Sequence, residues 1–262
     1  MKTLLTIILT ALLTACGGGS SGDGTQHIIS YGQSLSVGER AVLSFPDNLG
    51  LPNDYEDVGF MFSDGVKSLG TLPLVPFLES NAKISGSPMN VPTPGETPLY
   101  GVLKQLRGLP GQRIGSAPGV GGASIVDLSK GTIHYNRLLT NVRNAMSQSQ
   151  APYTVPAIVW LQGEADEYTG VPYAYLLNKL ANDLDADIRA ITKQPHPVQI
   201  HICLVQASYA APQQQLVASQ NPNVFMACEN KDYAKSDGTH FSASGSRAAG
   251  MALGASILRN MK

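Results

Sequence analysis

Between residues 112 and 259 short, near-continuous apolar runs alternate with longer segments whose apolar residues recur at helical spacing. The runs Val155–Leu161 (VPAIVWL) and Val198–Val205 (VQIHICLV) carry apolar side chains on both faces, so each such strand must be covered on both faces. Between and around them, residues 132–147 and 172–192 are amphipathic, the second through Leu176, Leu177, Leu180, Leu184, Ile188 and Ile191. Gln112–Ser116 and Val224–Cys228 complete the strands of this half, and Pro212–Ser219 and Ser242–Arg259 its helices. Upstream, His27–Tyr31 reads as a first strand, and a helix should run from the Thr97-Pro98 start signal to Gly108. Because β-α-β crossovers are right-handed, this order predicts a three-layer α/β/α sandwich around a five-stranded parallel sheet. With 262 residues and 43% of them hydrophobic, residues 27–262 suit one domain. Residues 35–96 lack a long periodic segment and read as the cover of a site, with a small hairpin predicted at Phe60–Val66 around Asp64-Gly65.

The first fifteen residues read as an export signal. Lys2 precedes the ten-residue apolar run Leu4–Leu13, too short to span a bilayer as a helix. Leu13-Thr14-Ala15-Cys16 resembles a bacterial lipobox, which makes Cys16 the expected lipidation site and membrane anchor, with residues 16–26 a Gly- and Ser-rich tether. The chain is therefore expected in the cell envelope, periplasm or medium, where Cys203 and Cys228 can be bonded or merely buried. Eighteen Lys and Arg against 19 Asp and Glu, with no basic block, argue against a nucleic-acid partner. No CxxC, HExxH or paired-Cys spacing exists, so a structural zinc has no ligands at the usual spacings.

Four polar, Gly-rich clusters follow successive strands: Gly32-Gln33-Ser34, Gly119-Val120-Gly121-Gly122, Gln162-Gly163-Glu164-Ala165-Asp166 and Asp237-Gly238-Thr239-His240. A serine hydroxyl needs a neighbouring base to attack an ester, and an imidazole works best when a carboxylate fixes its tautomer. Asp237 and His240 share one loop and can meet Ser34 from there. The negative charge of a tetrahedral intermediate calls for preorganised donors, for which Ser34 and Gly121 offer backbone N–H groups and Gln162 a side-chain amide. Glu164 and Asp166 can also be read as a glycosidase acid pair, but that leaves Ser34 and His240 idle. Gly119-x-Gly121-Gly122 fails as a dinucleotide motif because Ser124 occupies the third glycine position. His27, His134, His196 and His201 read as structural. Tyr55, Phe60, Phe62, Phe77 and Tyr100 read as core more readily than as sugar platforms.

Taken together, the four clusters resemble the signature blocks of the SGNH hydrolase superfamily, in the form found in sialate O-acetylesterase-like carbohydrate esterases. The resemblance implies a flavodoxin-like sheet, no cofactor, and removal of acetyl groups from a carbohydrate. It makes Ser34 the nucleophile, His240 the general base and acid, and Asp237 its partner. Ser34, Gly121 and Gln162 then form the oxyanion hole, with Gln33, Gly122 and Glu164 in support. Leu35 stands where these esterases commonly carry Asn, and Ile125-Val126-Asp127-Leu128 lacks their usual aromatic residue. The alternative is a surface carbohydrate-binding lipoprotein that keeps the fold without turnover; the intact Ser34, Asp237 and His240 argue against it.

Overall fold

The computed structural model describes residues 24–41, 57–67, 70, 73–79, 95–149 and 152–261. The export signal, Cys16, most of the tether and Tyr55 lie outside these residues. In chain order the elements are β1 (Thr25–Gly32), β2 (Phe60–Phe62), β3 (Leu74–Pro76), α1 (Leu99–Leu106), β4 (Gln112–Ser116) and α2 (Ile133–Ser147). There follow β5 (Tyr153–Leu161), α3 (Tyr173–Thr192), β6 (Gln199–Leu204), α4 (Ala210–Gln220), β7 (Val224–Glu229) and α5 (Ala243–Asn260). They build one sheet in the order β3-β2-β4-β1-β5-β6-β7.

The five expected strands are parallel, and two short strands extend the sheet beyond β4. The predicted hairpin at residues 60–66 is corrected in one respect. Asp64-Gly65 does turn the chain, with Gly65 N–H donating to Phe62 O, but the antiparallel partner of Phe60–Phe62 is Leu74–Pro76. A turn signal reports where a strand stops; the partner is chosen by which later apolar segment can reach it.

The central residues of β1 are buried on both faces, since the neighbours Ile28 and Ile29 are each 0% exposed. Ile29, Tyr31, Ile158 and Trp160 pack under Leu138, Leu177, Leu184 and Val217 of α2, α3 and α4. On the opposite face Ile28, Val159 and Leu161 meet Leu103, Leu253 and Ile257 of α1 and α5. Those two helices approach backbone to backbone, because a Cβ on Gly250 would lie 2.0 Å from Pro98 O. Thr132 and Ser242 cap α2 and α5 by accepting from Tyr135 N–H and Gly245 N–H. His27 and His201 are structural, as expected: burial lowers both to about 3, and they bond Tyr153 and Ser116, and Ser256 and Gln199, respectively.

Cys203 and Cys228, left open by the sequence, form a disulfide between the adjacent strands β6 and β7. Among the described residues no helix is long and apolar enough to cross a membrane. The sheet grows first on the β4 side of β1 and then on the β5 side, which places a crevice beyond the carboxyl ends of β1 and β5.

Candidate active site

Ser34 begins the 3-10 turn Ser34–Val37 directly after β1, in that crevice. Its position is set by backbone crowding. Gly32 has φ +145°, and a Cβ there would lie 2.2 Å from Leu161 O, so only glycine lets β1 cross so close to β5. The turn is tied internally, with Ser36 Oγ donating to Gln33 O at 2.6 Å and Ser30 Oγ donating to Ser36 O at 2.7 Å. Gln33 points away from the turn and accepts from Gly163 N–H at 3.2 Å and Ala165 N–H at 3.1 Å. The first and third clusters are thereby locked to each other.

The second cluster packs on the first through Val120 N–H, which donates to Gly32 O at 3.0 Å. Gly122 takes φ +72° in the turn that follows. Among the described residues no backbone carbonyl accepts from Ser34 N–H or Gly121 N–H. Two unengaged donors at one sheet edge suit an oxyanion.

Gln162 is different. Its side chain is completely buried, and its amide nitrogen donates to Ala123 O at 3.2 Å and to Asp166 Oδ2 at 2.5 Å. Its amide oxygen accepts from Tyr173 Oη at 2.8 Å. Both amide hydrogens are spent, so the expected donation from Gln162 to an oxyanion does not hold in this geometry; the side chain braces the loop. Asp166 is equally committed, accepting from Ile125 N–H at 2.8 Å, and is not available as one of two glycosidase carboxylates.

On the fourth cluster Asp237 Oδ1 accepts from Thr239 N–H at 2.8 Å and His240 N–H at 2.7 Å. Asp237 Oδ2 lies 3.0 Å from His240 Nδ1, so the pair expected from the sequence is formed. The two backbone donors, and then His240, hold the Asp237 carboxyl well below the usual carboxylate range. Among the described residues no hydrogen bond joins Ser34 to His240.

Several neighbours were not legible in the sequence. Arg40, reached through a left-handed backbone turn, places its guanidinium 3.6 Å from Asp237. Asn230 donates to Glu164 at 3.0 Å, and burial raises the Glu164 carboxyl, opposed by Lys235, Asn230 and His240 among others. Lys235 lies over the Phe241 ring at 4.3 Å; burial lowers it while Glu164 and Asp237 pull it back up. Glu39 lies against Gly121, where an added Cβ would meet its Oε2 at 2.5 Å. Behind the Ser34–Val37 turn Glu96 accepts from Arg247 at 2.8 and 2.7 Å. No motif marks these residues, because their partners come from distant segments.

Phe62, Phe77 and Tyr100 are buried and belong to the core. Tyr168, on the loop after β5, is 97% exposed and is the aromatic residue of that loop turned to solvent. Among the described residues no three His, Cys, Asp or Glu side chains cluster as a metal would require.

A model of the family described as carbohydrate esterase, sialic acid-specific acetylesterase, matches residues 109–259. That span holds Gly121, Gln162, Glu164, Asp237 and His240, while Ser34 precedes it. No curated protein matches the chain. A solved Arabidopsis thaliana protein is similar over 91% of this chain and 100% of its own, at 17% identity and a TM-score of 0.68. A carbohydrate acetylesterase from Xanthomonas citri is similar at 14% identity and a TM-score of 0.53, over 88% of this chain but 55% of its own. An aryl esterase from M. smegmatis is similar at 12% identity and a TM-score of 0.50, over 89% of this chain and 99% of its own. At these identities the structures speak for a shared fold, that of the SGNH hydrolases, and the family model for descent: the chain belongs to the sialic acid-specific acetylesterase family of carbohydrate esterases.

Proposed function

We propose that the protein is a serine esterase that removes O-acetyl groups from a carbohydrate through an acetyl-enzyme. The observation that carries this reading is the Asp237–His240 pair at the same sheet edge as Ser34, with Ser34 N–H and Gly121 N–H unengaged beside it. His240 takes the Ser34 hydroxyl proton on Nε2 as Oγ attacks the acetyl carbon, while Asp237 holds the Nδ1–H. The carbonyl oxygen becomes the oxyanion, received by the two N–H groups. Collapse breaks the bond to the sugar oxygen, which leaves with the proton from His240. Water, deprotonated by His240, then attacks the acetyl-enzyme, and acetate departs as Ser34 recovers its proton. Because Gln162 is committed elsewhere, two backbone donors carry the oxyanion in this reading.

Export and lipidation at Cys16 complete the proposal, and the Cys203–Cys228 bond supports an oxidising compartment. The test of the reaction is hydrolysis of p-nitrophenyl esters from acetate to octanoate by the purified protein beside Ser34→Ala. Acetate turnover lost in the variant is the expected result. Turnover that survives Ser34→Ala would overturn the mechanism, and no turnover in either protein would favour carbohydrate binding without catalysis.

A further inference from the structure

A second concavity lies at the other end of the sheet. In a parallel sheet the strands begin at the edge where the returning helices end, so the amino ends of β1, β5, β6 and β7 meet the last turn of α5. There a cavity of about 620 Å³ is lined by Gln26, Pro156, His196, Asn223, Phe225 and Arg259, among others. Its size falls within the roughly 300–1,000 Å³ of small-molecule sites.

The lining has a specific chemistry. Phe225 is half-buried, with one face stacked on His201 at a centroid separation of 5.1 Å, and it joins Pro156 as an apolar surface. His201 is neutral, since burial and then Arg259 lower it to about 3, so it adds no charge behind the ring. Arg259 and His196 are exposed, no acidic residue lines the cavity, and among the described residues no salt bridge engages Arg259. Gln26 Oε1 is buried in the wall without a hydrogen-bond partner among the described residues, and the amides of Gln194, Gln199, Asn223 and Asn260 also line the cavity. The C–H face of a sugar ring packs on an aromatic surface, its hydroxyls bond amides, and a guanidinium is the group best shaped for a carboxylate.

We infer that this cavity is a second saccharide site, for a carboxylate-bearing sugar unit, at the sheet edge opposite the candidate active site. The inference rests on the proposal that the substrate is a saccharide. Strands of six to nine residues separate the two edges by about 20–30 Å. Helices cover both faces of the sheet, so a polysaccharide long enough to pass over the surface between the edges would engage both sites, and the distal site would then raise the local concentration of acetylated units.

Isothermal titration of the whole protein with a de-esterified oligogalacturonate, and with a neutral oligogalactoside of equal length, tests this. The acidic chain should bind with at least tenfold higher affinity than the neutral one, and Arg259→Gln should remove that advantage. Phe225→Leu, which removes the ring and keeps an apolar side chain, should weaken the acidic chain as well. Hydrolysis of p-nitrophenyl acetate by Arg259→Gln should equal that of the unaltered protein. Equal binding of both chains, absence of binding, or acidic binding unaffected by Arg259→Gln would overturn the inference. Loss of the esterase reading shows instead as turnover independent of Ser34, so the two failures are distinct.

Discussion

At the scale of single residues, Gln162 separates two roles that look alike in a sequence. A glutamine after a strand, next to a Gly-rich cluster, reads as a donor aimed at substrate. Here its amide joins Ala123, Asp166 and Tyr173, three buried groups that would lose a partner together. Gln162→Leu should therefore lower stability by about 2–4 kcal/mol in urea denaturation. A side chain acting only as an oxyanion donor would instead lower kcat about 10²–10³-fold with stability unchanged. Glu79 offers a second test. It is 1% exposed, and burial, followed by Glu96, pushes its carboxyl from its ordinary 4.5 up to about 8. Between those pH values the folded protein holds a proton that the unfolded chain releases, so stability falls as pH rises through this window. The slope from this group is at most about 1.4 kcal/mol per pH unit. Glu79→Gln, which keeps the bond accepted from Thr97, should flatten the profile of melting temperature against pH between those values. The Asp237–His240 pair, by contrast, was legible, because two residues three positions apart on one turn are near neighbours whatever the rest of the chain does.

Elements follow local patterns until a strand needs a distant partner. Helix spacing placed α2 and α3 within a residue or so of their observed limits, since apolar periodicity and capping are both local. The strand at Phe60–Phe62 was legible as one arm of a hairpin, but its partner β3 escaped, because a three-residue strand carries too little pattern to announce itself. The disulfide shows the same limit: nothing local says that residues 203 and 228 face each other, and only the β6–β7 pairing does. Closing a loop of 25 residues, the bond should contribute about 3–4 kcal/mol. Reduction under native conditions should lower the melting temperature by several degrees. β7 leads straight to Asn230, which holds Glu164 beside His240, so esterase activity should become more heat-labile on reduction.

For the whole molecule, export and anchoring belong to a segment outside the described residues. If Cys16 carries the anchor, palmitate labelling in a bacterial host should mark the intact protein, and Cys16→Ser should abolish the label while leaving purified esterase activity unchanged. An unlabelled intact protein would point to ordinary secretion. By itself the amino-acid sequence determined the layered α/β class, the helix limits and the four clusters at strand ends, because these rest on periodicity and short-range chemistry. Which donors are unengaged, which charges are buried and which cysteines are joined was decided only by tertiary structure. Each of those depends on partners that the chain order keeps apart and the strand order β4-β1-β5 brings together. The same physics placed a second cavity where the strands begin, with no motif to announce it.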